Sequence, residues 1–346
     1  MSTAEGAVTV VVDAGTVVST VAAVLEAHGA TRPDAEIQAR VLVEGDLRGH
    51  PSHGVRRLPV LVGRLRAGVA VSGVAPELAW RSESALAVDG RRGLGPVVAF
   101  RAVDAIIERA ERTGIAVASI SSAGHVGMLS PYVERMAAAG CVGIGLTISE
   151  ALVHPWHGTR AMVGTNPIGI AVPTSGDPLV LDMSTGSVSM GKILDYAARG
   201  EPIPPGWAVD PAGRPTTDAA AAAAGAISPF GGPKGYALGL AFEVLVGALT
   251  GSALGRDVTG TLDDEHPPTK GDVFVAISLD ALGVTEHLPA VTAYLALIRA
   301  SGADESAVDV PGDRARRTRA ERLESGVPID AELWSRILDL LQRSPQ

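Results

Sequence analysis

Gly93-Leu-Gly95-Pro-Val-Val98 decides how the fold of this chain is read. The stretch opens as a G-x-G-x-x-G turn does, with two glycines at the right spacing, and then sets Val98 where the third glycine belongs. In the common dinucleotide fold that glycine lets helix and strand pack closely while a pyrophosphate rests on the helix N-terminus. Its absence argues against an ordinary Rossmann site. Outward from this stretch, the C-terminal side is mixed. Short β-branched runs at 115–120, 142–148, 178–183 and 273–279 alternate with alanine-rich helical patterns, which predicts an α/β or α+β body from about residue 85. The N-terminal side predicts helices over 17–28, 35–47 and 53–66, with Gly29 and Gly68 as stops. The far end returns to helix at 288–300, 314–324 and 330–341, with breaks at Ser301-Gly302-Ala303 and Val327-Pro328. Residues 200–217 carry Pro202, Pro204, Pro205, Pro211 and Pro215 and read as loop, with a short helix in the alanine run 219–224.

The chain has 346 residues, which at roughly 150 per domain favours two domains or three. Lys and Arg number 29 against 38 Asp and Glu, a net charge of −9 that argues against a phosphate-tracking nucleic-acid binder and a polybasic membrane anchor. The expected partner is a small molecule or a second copy of the chain. Cys141 is the only cysteine and cannot form an internal disulfide, and no secretory-type segment opens the sequence, so it reads as cytoplasmic. A membrane span is conceivable only at 235–255, where Glu243 is the one charge. There Gly235, Gly239, Glu243, Gly247, Gly251 and Gly255 recur every four residues. On a helix that is a stripe of small residues suited to close backbone approach, with Glu243 held by a buried partner.

Gly186-Ser-Val-Ser-Met-Gly191-Lys192-Ile193 has P-loop spacing, but Ile193 replaces the hydroxyl that would hold Mg²⁺, and a helix start with a solvated Lys192 is the plainer reading. Among the histidines, His50 and His53 are three apart, as are His154 and His157, and His125 sits between glycines in Gly124-His-Val-Gly127. With Asp182 these imidazoles suggest a metal-dependent hydrolase, although Pro51 and Pro155 spoil both pairs as one-face helical ligands. The other use of histidine is proton transfer near neutral pH, oriented by a carboxylate, with Asp182 at the end of an apolar strand as partner. A structural hydrogen bond is the bland reading for any single histidine; the glycine-rich flanks move His53 and His125 away from it. Arg48, Arg56, Arg57, Arg64 and Arg66 cluster near His53, and a guanidinium beside a proton donor suits a substrate carboxylate. Arg64 and Arg66 read instead as a solvated helix face.

Five segments together resemble the malate/L-lactate dehydrogenase family: Arg48-Gly-His-Pro-Ser-His-Gly-Val-Arg-Arg-Leu-Pro59, Gly164-Thr-Asn-Pro167, Leu181-Asp-Met183 with Gly191-Lys192, Gly206-Trp-Ala-Val-Asp210 with Pro215-Thr-Thr-Asp218, and Gly231-Gly-Pro-Lys-Gly-Tyr236. The resemblance runs in order from about residue 15 to 330. This family is distinct from the Rossmann-type lactate and malate dehydrogenases, and it includes ureidoglycolate and sulfolactate dehydrogenases and the piperideine/pyrroline-2-carboxylate reductases. It implies a mixed α+β fold: a non-Rossmann NAD(P)-binding domain with a largely antiparallel sheet, here 81–289, and a helical domain built from both chain ends, here 1–80 and 290–346. It also implies a homodimer with its active site near the subunit contact.

Carried over by position, the resemblance makes His53 a proton donor paired with Asp182, and His125 an alternative acid/base. Arg57 would hold the substrate carboxylate, with Ser52, Thr165 and Asn166 lining the pocket. Ser149, Asp182, Met183, Ser184, Lys234, Gly312, Asp313 and Arg314 match cofactor-contacting positions, the cofactor being NAD or NADP. Val60 and Leu61 stand where relatives commonly have a tyrosine, and only Tyr132 remains of a tyrosine pair, so the pocket wall departs from the pattern. The expected chemistry is hydride transfer to or from C2 of a small 2-oxo, 2-hydroxy or cyclic 2-imino acid. The competing readings are a histidine-ligated metal hydrolase and a non-catalytic family member acting as a ligand-binding or scaffold dimer.

Overall fold

The computed structural model describes residues 8–303 and 308–342. Its centre is a seven-stranded sheet in the spatial order Glu77–Trp80, Ala85–Asp89, Ile115–Ser121, Asp272–Ser278, Cys141–Thr147, Ile168–Val172, Leu179–Met183. Neighbours run antiparallel except Ala85–Asp89 and Ile115–Ser121, which are parallel. A parallel pair needs a long crossover, and the helix Gly95–Thr113 provides it. The incomplete fingerprint thus serves packing: a Cβ on Gly95 would lie 2.4 Å from the His125 carbonyl oxygen and 2.5 Å from that of Gly124. A bare backbone at the start of this helix is what admits the loop carrying His125.

Alternation along the central strand separates two layers. Phe274 and Ala276 join Leu86, Ile106, Tyr132 and Met136 under the helices Gly95–Thr113 and Ser130–Ala138. Val273 faces the other way, with Leu146, Ile148 and Val246 of the helix Pro233–Thr250. That helix is the small-residue stripe. Gly235, Gly239, Glu243 and Gly247 are buried, as the spacing predicted, but the helix stops at Gly251, which caps it at φ +65°, so Gly255 lies outside it. Among the described residues no helix is long and apolar enough to cross a membrane.

Thr9–Val12 pairs antiparallel with Val327–Asp330, and residues from both ends of the chain share one core, including Val17, Leu25, Leu42, Leu58, Ile329 and Ile337. Val327-Pro328, expected as a break, therefore opens a strand. The helix expected over 53–66 is also divided, into turns Pro51–His53 and Val55–Arg57 followed by the helix Leu58–Arg66. Within 200–217, read as loop, Ala208–Val209 and Pro215–Thr216 form a small sheet with Ala226–Ile227. Of the ranges 1–80 and 290–346 assigned to a helical domain, residues 1–7, 304–307 and 343–346 lie outside the described residues, and Glu77–Trp80 belongs to the central sheet.

Candidate active site

The turn bearing His53 is pressed onto the end of the helix Arg32–Leu47 through two glycines. A Cβ on Gly45 would sit 2.8 Å from the His53 carbonyl oxygen, and one on Gly54 would sit 2.1 Å from Asp46 Oδ1. Asp46 occupies that space because its carboxylate accepts the Val55 N–H at 2.7 Å. Burial pushes the Asp46 carboxyl up to about 7, against the opposing pull of the Val55 N–H, Arg322 and Arg56. The turn thereby stacks the His53 ring on His125, with centroids 5.6 Å apart and planes 12° from parallel.

The two imidazoles differ in what holds them. His125 Nδ1 accepts the Gly127 N–H at 3.0 Å, so its neutral ring carries the proton on Nε2. His53 Nδ1 is sealed from solvent with no hydrogen-bond partner. Desolvation, then the charges of Arg57 and His50, draw His53 down to about 4. Desolvation, then Arg57, His53, Lys270 and Arg64, hold His125 well below the ordinary imidazole value. The expected His53–Asp182 pair is not formed in this structure. Asp182, on the strand Leu179–Met183, accepts the Ser130 N–H at 2.7 Å instead, and desolvation raises its carboxyl against that bond.

Arg57 and Arg64 line one narrow cavity together with His125, Gln38, Leu61 and Thr261. Each guanidinium is pinned by a backbone carbonyl: Arg57 Nη2 donates to Thr261 O, and Arg64 Nη1 to Asp263 O at 2.7 Å. Glu150 fastens that loop, accepting the Thr261 N–H at 2.7 Å, the Leu262 N–H at 3.0 Å and the Thr261 hydroxyl. Arg64, expected on a solvated face, is only 4% exposed, because the loop at 261–264 covers that side of its helix; Arg66 is exposed as expected. Ser52 lies against Gly191, where a Cβ would come 2.9 Å from its own, and Arg56 pairs with Asp195 of the helix Met190–Arg199 at 2.5 Å. Lys192 of the P-loop-like stretch stands 5.0 Å from the centre of the Trp207 ring.

A second group of expected residues gathers at the strand ends. Ser149 Oγ accepts the Thr165 N–H at 3.0 Å, Thr165 O accepts the Thr185 N–H at 2.8 Å, and Thr185 O accepts the Phe230 N–H at 3.1 Å. This ladder brings Ser149, Thr165, Met183 and Ser184 beside the start of the helix Pro233–Thr250. Asn166 is fully buried, its amide donating to Gly239 O at 3.0 Å and to Glu243 Oε2 at 2.6 Å. Both its amide hydrogens are therefore committed to the fold. Lys234 is exposed on the first turn of that helix and makes no ion pair among the described residues.

Gly312 and Arg314 line a cavity of about 370 Å³ with Asp182, His50, Arg48 and Ser130. Asp313 points elsewhere. Its carboxylate takes Arg299 at 2.7 and 2.9 Å and Arg316 at 2.6 Å, and these guanidinium bonds, Arg299 first, hold its carboxyl far below the ordinary range. His154, one of the suggested metal ligands, has Pro155 O 2.8 Å from Nδ1 and Ser228 Oγ 3.2 Å from Nε2. Sequence reasoning missed Asp46 and Glu150. Neither carries a local signal, since each acts only on a loop distant in the chain or folded back upon it.

The family model for malate/L-lactate dehydrogenase matches residues 12–338. The chain is 35% identical over 318 residues to the malate/(S)-sulfolactate dehydrogenase of Methanothermus fervidus, covering 92% of this chain and 93% of that protein. It is 34% identical over 318 residues to the Δ(1)-pyrroline-2-carboxylate reductase of Ancylobacter novellus, covering 90% and 92%. In three dimensions it is similar to a dehydrogenase from Sinorhizobium meliloti, with a TM-score of 0.93 and 46% identity over 97% of this chain and 99% of that one. The protein is thus an NAD(P)-dependent dehydrogenase or reductase. It belongs to the malate/L-lactate dehydrogenase family.

Proposed function

We propose that the enzyme moves a hydride between NAD or NADP and C2 of a small 2-oxo/2-hydroxy acid or a cyclic 2-imino acid. The observation that carries this reading is the convergence of the Arg57 guanidinium and the His125 ring on one cavity, with His53 stacked behind. The nicotinamide, when bound, supplies or accepts the hydride. Arg57, fixed by Thr261 O, binds the substrate carboxylate and so presents C2 in one orientation. A histidine moves the proton at the oxygen or nitrogen on C2. His125, with its proton on Nε2 and its ring on the cavity wall, is placed for that contact, and His53 behind it sets the local charge. Asp182 serves this reading through the Ser130 backbone, not through an imidazole bond. Ser52 and Thr165 complete the substrate walls, and Asn166 acts by holding Gly239 and Glu243 in place.

The cofactor reading rests on two features. The cavity bounded by Asp182, Gly312 and Arg314 is large enough for part of a dinucleotide, and the exposed Arg314 and Lys234 are cations that make no ion pair among the described residues, as phosphate or ribose groups require. Ser149, Met183 and Ser184 lie between them on the strand ends, and Asp313 orders the Gly312 turn through Arg299 and Arg316. We also propose a cytoplasmic homodimer, supported by the apolar outer face of the helix Pro233–Thr250, where Leu238, Val244, Leu245 and Leu249 are exposed. The division into a helical unit from the two chain ends and a cofactor-binding unit around the sheet belongs to the same proposal.

Steady-state oxidation of NADH and of NADPH with pyruvate, oxaloacetate, piperideine-2-carboxylate and pyrroline-2-carboxylate tests it. Turnover is expected with one of these acids. His125→Ala and His53→Ala then assign the proton: the donor's removal is expected to cost about 10²–10⁴ in rate. If neither variant loses a hundredfold, histidine is not the acid.

A further inference from the structure

We infer that residues 260–267 form a gate over the Arg57 cavity, and that Glu150 is its latch, a positioning residue that holds the gate shut until substrate displaces it. The inference rests on the dehydrogenase reading above and adds a control on entry to the same site. With the loop in place the cavity measures about 30 Å³, room for about one water. A 2-oxo acid is several times that size, so a wall has to move before Arg57 and His125 can meet one. The helices that line the cavity are anchored: Leu42, Leu58 and Val62 lie in the core shared by the two chain ends, and Val98 and Ala99 in that of the sheet. Thr261 comes from a segment with no such anchor. None of residues 260–267 joins a hydrophobic core among the described residues, and Leu262 is 44% exposed. The neck of the loop is fixed. Thr259 N–H donates to Thr269 Oγ1 at 2.8 Å and Thr269 N–H to Thr259 O at 3.2 Å, and Gly260, at φ +82°, lies so close to Pro267 that a Cβ would come 2.5 Å from its carbonyl oxygen. The tip beyond that neck is free to swing once its own hydrogen bonds break.

Glu150 accepts three of those bonds, from Thr261 N–H, Leu262 N–H and the Thr261 hydroxyl. The loop in turn offers Thr261 O to Arg57 and Asp263 O to Arg64. Desolvation draws both guanidinium groups down; Glu150 opposes it at Arg57, and Asp263, Glu150 and Asp264 oppose it at Arg64. The closed loop thus supplies the acceptors and counter-charge that a substrate carboxylate would supply, and the two compete. As a carboxylate forks onto Arg57, Thr261 O, which presets that guanidinium, yields its N–H, and Thr261 loses the room in which its own N–H and hydroxyl meet Glu150. The latch bonds therefore belong to the closed form, and they lower the fraction of enzyme that can admit substrate.

The test compares the wild type with Glu150→Ala, which removes all three bonds, and Glu150→Gln, whose amide oxygen still accepts from the two N–H groups. Access is read without turnover, as the rate at which diethyl pyrocarbonate modifies His125, mapped by mass spectrometry. The rate is expected to rise about tenfold in Glu150→Ala and by less in Glu150→Gln. His28, 4% exposed beside Leu340 and remote from the loop in the chain, is the control and is expected to label at the wild-type rate. A parallel rise at His28 would mean that the fold as a whole has loosened, and no rise at His125 would mean that the loop does not limit entry; either result overturns the inference. With the acid that supports turnover, kcat/KM is expected to rise about three- to tenfold in Glu150→Ala, because more of the enzyme stands open. A fall in kcat/KM would show that Glu150 serves only to hold Arg57 in place, which also overturns it. Should Glu150→Ala fail to fold, Thr261→Val, which deletes the hydroxyl bond alone, is expected to shift both readouts in the same directions by a smaller factor. If no acid oxidises either reduced nicotinamide, the proposed reaction fails, while the labelling of His125 against His28 still decides for or against the gate.

Discussion

Replacing Gly45 with alanine separates the placement of His53 from the stability of the helix beneath it. Gly to Ala inside a helix ordinarily stabilises by about 1 kcal/mol. Here the new methyl would lie 2.8 Å from the His53 carbonyl oxygen, 2.9 Å from its carbon and 3.0 Å from the Gly54 nitrogen. All three are backbone atoms, so no side chain can swing aside. To restore ordinary contact the turn Pro51–His53 has to retreat by roughly 0.5 Å. Overpacking of this kind costs about 1–3 kcal/mol, which against the helical gain leaves a net loss of about 0–2 kcal/mol. The effect on rate is larger in proportion. A misplacement of about 1 Å can cost a hundredfold, so half that distance should lower kcat/KM about tenfold. Steady-state oxidation of the reduced cofactor and a urea midpoint on the same preparation give both numbers. A variant with full activity and a raised midpoint would show that the helix does not fix the turn, and the account of how His53 is positioned would be wrong.

Low pH should weaken the fold through His53. Its folded value near 4 lies below the unfolded 6.5, so the neutral ring's contribution is complete above about pH 6.5 and is lost as pH falls toward 4, by at most about 3 kcal/mol. Asp46, held up to about 7, acts in the opposite sense, its contribution being lost as pH rises through 7. The two are separated by comparing the wild type with His53→Phe in urea at pH 7 and pH 5. The stability difference between them should shift against the wild type at the lower pH, and parallel curves would refute it. Glu243→Gln should cost about 1–3 kcal/mol, because Glu243 Oε2 accepts Gly164 N–H at 2.9 Å and Asn166 at 2.6 Å while Oε1 accepts Gly255 N–H at 2.5 Å, and an amide can serve only one side. An unchanged urea midpoint would show these bonds to be replaceable.

What the sequence shows of this molecule follows the range of the interactions. The runs at 142–148 and 273–279 are visible because β-branched residues concentrate in strands buried on both faces, and they appear as Cys141–Thr147 and Asp272–Ser278. Thr9–Val12 and Val327–Asp330 give no such signal: each is four residues long, the second contains Pro328, and each exists only because the other lies alongside. His53, His125 and Arg57 stand out because glycines flank reactive side chains, and the fold does bring them to one place. Arg64 does not stand out. A short amphipathic helix reads the same whether its polar face meets water or a loop, and the loop that covers it belongs to residues about two hundred positions later. The His53–Asp182 pairing implied by the resemblance gave way to a backbone bond, Ser130 N–H to the carboxylate, which no residue pattern announces.

The core shared by residues 17–62 and 327–337 bears on how the chain is made. During synthesis the first three helices emerge early but cannot bury their apolar faces against Ile329 and Ile337 until some 270 residues more have been added. At roughly 5–20 residues per second that wait is about 15–55 s. For that interval Val17, Leu25 and Leu42 stay open to other chains. Nascent-chain aggregation, and the demand for chaperones that shield it, should therefore depend on how quickly the ribosome traverses the sheet.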